Sequence, residues 1–142
     1  MQAAEISRTA LDVEWRRLEV IAQNLANVNT TRTASGQPYA ARRLVSGPRR
    51  DFAGLMSAPG AGADLAGVEV LGIETAPAGT HKVYQPGHPD ADASGYVSYP
   101  AIDQVSEMTS LVTTARAYEA NVVAMNTARQ MYAKALEIGK RS

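Results

Sequence analysis

The residues with the most chemical potential lie between positions 81 and 95. His81 and His88 are the two histidines of the chain. His88 sits in Pro86-Gly87-His88-Pro89-Asp90, where the prolines forbid a helix. A lone loop histidine of this kind ordinarily serves a turn or packs. Next comes Asp90-Ala91-Asp92-Ala93-Ser94-Gly95. It places oxygen-bearing side chains at positions 1, 3 and 5 and glycine at position 6, the first half of an EF-hand calcium loop. The twelfth position should be a bidentate Glu, and it is Ala101, preceded by Pro100. One reading of the segment is therefore a calcium or ligand loop at 90–95. The other is a tight Asx-type turn feeding a strand at 96–99. His88 and Asp90 are also the pair a small hydrolase would need, but no nucleophile accompanies them. No serine elbow, zinc-protease helix or phosphate-binding loop occurs. The chain has no cysteine, which removes disulfides, thiolate metal sites and thiol nucleophiles together. The expectation is a protein that is not an enzyme and carries no metal or cofactor.

Nucleic acid is not an expected partner either. Fourteen Lys plus Arg balance fourteen Asp plus Glu, whereas a nucleic-acid binder is normally basic. Arginine pairs at 16–17, 42–43 and 49–50 lack interleaved aromatics and read as solvent-facing or acid-facing. The balance is uneven along the chain. Residues 1–50 hold eight arginines against four acids, 51–103 one lysine against seven acids, and 104–142 five bases against three acids. Basic ends flank an acidic middle, a pattern that can steer the ends of one subunit to the middle of another. Asn24, Asn27, Asn29, Asn121 and Asn126 cluster beside the apolar stripes of the two ends. Uncharged amides can hydrogen-bond inside a helix interface and set its register.

These residues must be positioned by three successive parts in a chain of about one domain's length. Residues 1–31 read as a helix over 3–28, with Leu11, Trp15, Leu18, Ala22 and Leu25 spaced as a heptad seam. The Asn and Thr run at 27–31 should end it. Residues 103–142 read as a helix over 103–138, with Asp103 as N-cap and Gly139 as C-terminal cap, followed by Lys140 and Arg141. Met108, Leu111, Ala115, Tyr118, Val122, Met125, Tyr132 and Leu136 continue its seam. Residues 32–102 read as β-rich, with strands at 39–45, 68–73, 80–84 and 96–99. Residues 75–79 could close a hairpin between the second and third strands. Residues 53–67, rich in Ala and Gly, read as a loop or linker. The fold class is α+β, with the long terminal helices pairing as a coiled coil that forms a helical core domain, and with a small β-rich middle domain. No segment reaches the ~20 apolar residues a membrane span needs. Glu5, Arg8, Asp12, Glu14, Arg16, Arg17 and Glu19 interrupt any secretory signal core.

Three stretches resemble a known family. Ala10-Leu11-Asp12 followed by residues 21–31 (IAQNLANVNTT) resembles the N-terminal signature of bacterial flagellar rod and hook proteins. The loop Pro86, Gly87, His88, Pro89, Asp90, Asp92, Gly95 and Tyr96, with Val97, Tyr99 and Pro100, is similar to the signature of proximal-rod subunits. Glu107-Met108, residues 115–122 (ARAYEANV) and residues 135–139 (ALEIG) are similar to the family's C-terminal motif. Ala101 departs from the family, where Asn is common, and residues 53–67 are longer and more apolar than its pattern.

The resemblance implies a structural subunit, exported unfolded through the flagellar type III apparatus without a cleaved signal. It implies helical assembly into the rod of the basal body across the periplasm, as drive shaft and export channel. The implied partners are other proximal-rod proteins, the distal rod above and further copies of this chain, with no direct membrane insertion. The residues expected at subunit contacts are Leu11, Trp15, Leu18, Leu25, Met108, Leu111, Tyr118, Val122 and Met125, with Asn24, Asn27 and Asn121 supplying polar register. The reading from another class is a monomeric secreted module binding calcium or a ligand at 90–95.

Overall fold

The computed structural model describes residues 2–49, 67–76 and 79–139. Residues 53–66 of the expected Ala/Gly-rich loop, and Lys140 and Arg141, lie outside the described residues. The chain runs α1 (Gln2–Ala26), β1 (Arg42–Pro48), β2 (Val68–Thr75), β3 (Thr80–Tyr84), β4 (Tyr96–Pro100) and α2 (Gln104–Gly139). This is an α+β fold with long helices at both ends and two small antiparallel sheets between them. Among the described residues no helix is long and apolar enough to cross a membrane.

Both helix boundaries have local causes. Asn27 ends α1 because its side-chain amide donates to Gln23 O (2.8 Å) while its side-chain oxygen accepts from the Thr30 hydroxyl (3.0 Å). Asp103 starts α2 because Oδ1 accepts from Val105 N–H at 3.0 Å, satisfying one of the orphan donors of a first turn. Glu107 adds negative charge to the same turn, where the helix dipole favours it. Gly139 is the last helical residue rather than a left-handed cap: positive φ among the described residues is confined to Gly36, Gly67 and Gly95.

The strand pairing differs from the expected hairpin at 75–79. β2 pairs with β1 and β3 pairs with β4, each antiparallel, in separate sheets. Loop-closure entropy grows slowly with length, so a long connection does not prevent β1 from finding β2. The loop 85–95 is itself an ordered turn that returns the chain from β3 to β4. β1 lies three residues later than expected, at Arg42–Pro48 rather than 39–45, because its register is set by β2. A bulge between Val45 and Ser46 leaves Leu71 without a partner. Leu71 Cδ1 then lies 2.9 Å from where a Cβ on Gly47 would be, so that glycine makes room for it.

Val13 and Val20 of α1 pack with Leu44 of β1, and Val68 of β2 covers them. Each such side chain contributes about 1.5–3 kcal/mol when fully buried, so four of them make a modest core. The buried residues of α1 are Thr9, Val13, Val20, Ile21 and Asn24. On a helix of 3.6 residues per turn Thr9, Val13, Val20 and Asn24 lie opposite the expected seam, while Ile21, which widens that seam, flanks it. α1 is therefore apolar on two sides. One side sits on the β1–β2 hairpin. On the seam side, Trp15 meets Tyr118 of α2, with ring centroids 6.2 Å apart.

Gly67 has φ 109°, and a Cβ there would collide with the Thr9 side chain. The Thr9 hydroxyl accepts from Val68 N–H at 3.1 Å, fastening β2 to α1. Gly67→Ala should therefore lower stability by about 1–3 kcal/mol, through strain and loss of this tie. A urea titration measures it, and an unchanged midpoint would refute the account.

Candidate functional site

Asn24 is 2% exposed. Its Oδ1 accepts from the Arg42 N–H (2.9 Å) and the Tyr39 hydroxyl (3.0 Å). Its Nδ2 donates to Arg42 O (2.9 Å) and to Glu107 Oε2 (3.3 Å). All four hydrogen bonds that a primary amide can make are used. Burial, the largest influence on the Tyr39 hydroxyl, raises its pKa, which keeps it a neutral donor. Asn24 was expected at a contact between subunits, and here its side chain is spent inside one. Tyr39 and Glu107 are the partners that sequence reasoning missed. Glu107 stands in the family-like C-terminal motif, but no spacing rule ties it to a residue so distant in the chain.

Asn27 is likewise engaged at the end of its own helix. The expected seam residues occupy a different environment. Leu11, Leu18 and Leu25 are half-buried and Trp15 is 55% exposed. On α2, Leu111, Tyr118, Asn121, Val122 and Met125 are half-buried, and Met108 is exposed. Thr114 is the one buried residue of α2 among those described. Asn24 meets Glu107 while Trp15 meets Tyr118, so the helices run antiparallel. On that register residue 2 lies opposite about residue 130, and every described residue from 131 to 139 is exposed. Met131, Tyr132, Leu136 and Ile138 project there, while Val105, Val112 and Val123 are bare elsewhere on α2. The exposed valines, Met131 and Ile138 lie off the heptad seam, so seam-reading could not find them.

The signature loop is held by its own carboxylates. Asp92 Oδ1 accepts from Ser94 N–H (2.9 Å) and Tyr96 N–H (3.0 Å), while Oδ2 meets Lys82 Nζ at 3.3 Å. Asp90 turns away from it, accepting from the Thr31 hydroxyl (2.8 Å) and pairing with Arg32 Nε (2.6 Å). The carboxylates are thus committed to different partners, as an Asx-type turn requires, and the calcium-loop reading gains no support. His88 Nδ1 accepts from Asp90 N–H at 3.0 Å. Its Asp90 neighbour aims its carboxylate elsewhere, so no hydrolytic pair forms. Gly95 adopts φ 81°, and a Cβ there would approach Tyr84 to 2.9 Å and Pro86 to 3.2 Å. Tyr84 and Tyr96 meet edge to face at 5.2 Å across the hairpin, and His81 stacks on Tyr99 at 5.8 Å. Pro89 completes the rigid turn. An open groove of about 520 Å³ between α1, β1 and α2 is lined by Arg17, Asn24, Arg42, Glu107 and Thr113 and holds no histidine.

Residues 5–32 match a family model described as flagella basal body rod protein. Residues 93–138 match one described as flagellar basal body rod FlgEFG protein C-terminal. The chain is 41% identical to the flagellar basal-body rod protein FlgC of Bacillus subtilis over 143 residues, 95% of each chain. It is 38% identical to FlgC of Escherichia coli over 136 residues, 96% of this chain and 95% of that one. With FlgC of Borreliella burgdorferi the identity is 35% over 144 residues, covering 94% and 93%. The family models cover the two helices, and the relatives extend the likeness across the middle.

Asp92 sits in water, and its carboxyl is held below its ordinary value of 3.8. The Tyr96 N–H is the largest cause; desolvation opposes it, and Ser94 N–H and Lys82 assist. A carboxyl lowered on folding contributes stability above its unfolded value and loses it as pH falls through the folded one. The β3–β4 hairpin should therefore lose amide protection as pH drops below about 3.8. Asp92→Ala should show weakened protection already at neutral pH and little further acid dependence. Identical acid profiles for the two chains would show that Asp92 does not hold the turn.

Proposed function

We infer the work of this chain from one premise: it belongs to the FlgC family of flagellar basal-body rod proteins. It is a structural subunit of the flagellar rod, and its place is the flagellar basal body. We propose further that it builds the proximal rod, assembling helically through its terminal helices to form a drive shaft and export channel across the periplasm.

The observation that carries this reading is α2. A helix of 36 residues packs along one of 25 and leaves its last turns bare. Exposed apolar side chains run its length, from Val105 (73% exposed) to Ile138 (69%). A helix with bare apolar side chains on more than one face is one that neighbouring chains can bury. A contact between unlike faces that does not close generates a helical tube. In this reading residues 1–31 and 103–142 form the axial core and residues 32–102 the outer body. Leu11, Trp15, Leu18, Leu25, Met108, Leu111, Tyr118, Asn121, Val122 and Met125 remain the proposed subunit contacts, joined by the overhanging Met131, Tyr132, Leu136 and Ile138. The partners are further copies, other proximal-rod proteins and the distal rod, reached by export through the type III apparatus. α1 supplies Val13 and Val20 to the core, which supports its retention rather than removal as a signal. A structural role rather than catalysis agrees with carboxylates and imidazole already engaged in turns.

Met131→Glu with Ile138→Glu changes side chains that are exposed in the subunit, so the fold should persist. Motility in a strain lacking the native gene should be lost, and the chain should be missing from purified basal bodies. Full motility with the doubly substituted chain in basal bodies would sink the reading. The unsubstituted chain, traced by peptide mass spectrometry, serves as the positive control.

A further inference from the structure

We propose that Asn24 and Glu107 form a joint that fixes the angle of α2 to α1 and the β1–β2 hairpin, so that the axial helices and this part of the outer body turn together. The inference deepens the rod reading and rests on it for its purpose, though not for its geometry.

Through one short side chain Asn24 ties α1 to β1, to the segment before it and to α2. Two of its bonds go to the backbone of Arg42, which opens β1. A third comes from Tyr39 in the segment that leads there. The fourth reaches Glu107 in the first turn of α2. An asparagine has two side-chain torsions, so four partners over-determine its position. Its near-complete burial raises the cost of losing any partner.

The four bonds are not alike. The three that tie α1 to the segment leading into β1 measure 2.9–3.0 Å, and the one to α2 measures 3.3 Å. The leg to Glu107 is thus the one that can be removed while the others hold. The rest of the molecule makes that leg important. α2 has a single buried residue among those described, Thr114, and it meets α1 otherwise through half-buried side chains such as Leu111, Tyr118 and Val122. Apolar contact resists separation but is non-directional. A hydrogen bond to a charged acceptor is directional and stronger than a neutral one. It sits where the chain returns from β4 through Asp103, at the root of the long helix. A loose root would let the axial core twist without carrying the outer body.

Glu107 acts through Asn24, so it is a positioning residue, and coupling is the property to measure. Amide hydrogen exchange on the full chain would compare wild type, Glu107→Ala, Glu107→Gln and Asn24→Ala with and without Glu107→Ala. In Glu107→Ala, amides across 108–118 should exchange about tenfold faster while β1 and β2 amides keep their rates. Glu107→Gln retains an acceptor oxygen and should restore most of the protection. In the Asn24→Ala background, Glu107→Ala should add nothing, the mark of a shared interaction. Unchanged exchange in α2 would overturn the proposal, as would equal loosening of α2 and the hairpin. Should Asn24→Ala not fold, the Glu107→Ala and Glu107→Gln pair decides alone. Recovery of the wild-type chain from basal bodies tests the rod reading separately. A chain missing there whose Glu107→Ala exchange behaves as expected would fail as a rod protein and keep its joint.

Discussion

The fold depends on the satisfaction of one buried amide. Asn24 lies under the hairpin, between two helices, in a core of few apolar side chains. A polar group buried without partners costs several kcal/mol, enough to undo much of what so small a core supplies. With every donor and acceptor matched, the same group specifies how three elements meet. Hydrophobic contact between Val13, Val20, Leu44 and Val68 holds α1 and the hairpin together but leaves their angle loosely set. The amide sets it, because hydrogen bonds fail steeply when misaligned.

The β3–β4 hairpin is organised by the same means on a smaller scale. Asp92 closes the turn on itself, and Asp90 ties the turn to Thr31 and Arg32. Val97 is fully buried although its strand is only five residues long. The residues that look most like chemistry in the sequence are consumed in holding a short hairpin in a defined place. Metal ligation by Asp90 and Asp92 together would first require those bonds to break.

The long helices show the opposite economy. α1 is apolar on two sides: the hairpin buries one, and α2 covers the other in part, with Trp15 left 55% exposed. α2 is apolar on more than one side and fills only part of one. Antiparallel pairing of unequal helices leaves a C-terminal overhang by geometry alone. Surface so disposed suits a subunit whose burial is completed by neighbours.

The sequence by itself determined the elements and the class of work. Heptad spacing, Asp103 and the Asn27–Thr31 run placed both helices, because those signals act within a turn or two of the chain. The Asp and Gly spacing at 90–95 fitted a tight turn for the same reason, and the motifs at 10–31, 86–100 and 107–139 carried the family. Only the tertiary structure decided which strands pair and which face of α1 is inside. The sequence suggested β2 with β3 because they are neighbours, but pairing is settled by side chains meeting across space. The seam at Leu11, Trp15, Leu18 and Leu25 was real, yet the hairpin claimed the other face through Val13, Val20 and Asn24. A period reveals that a helix has an apolar side, and it cannot reveal what covers it. Likewise nothing local distinguishes Asn24 from Asn27 or Asn121. One became a buried hub because Arg42 and Glu107, 18 and 83 residues away in the chain, arrive beside it when the chain folds.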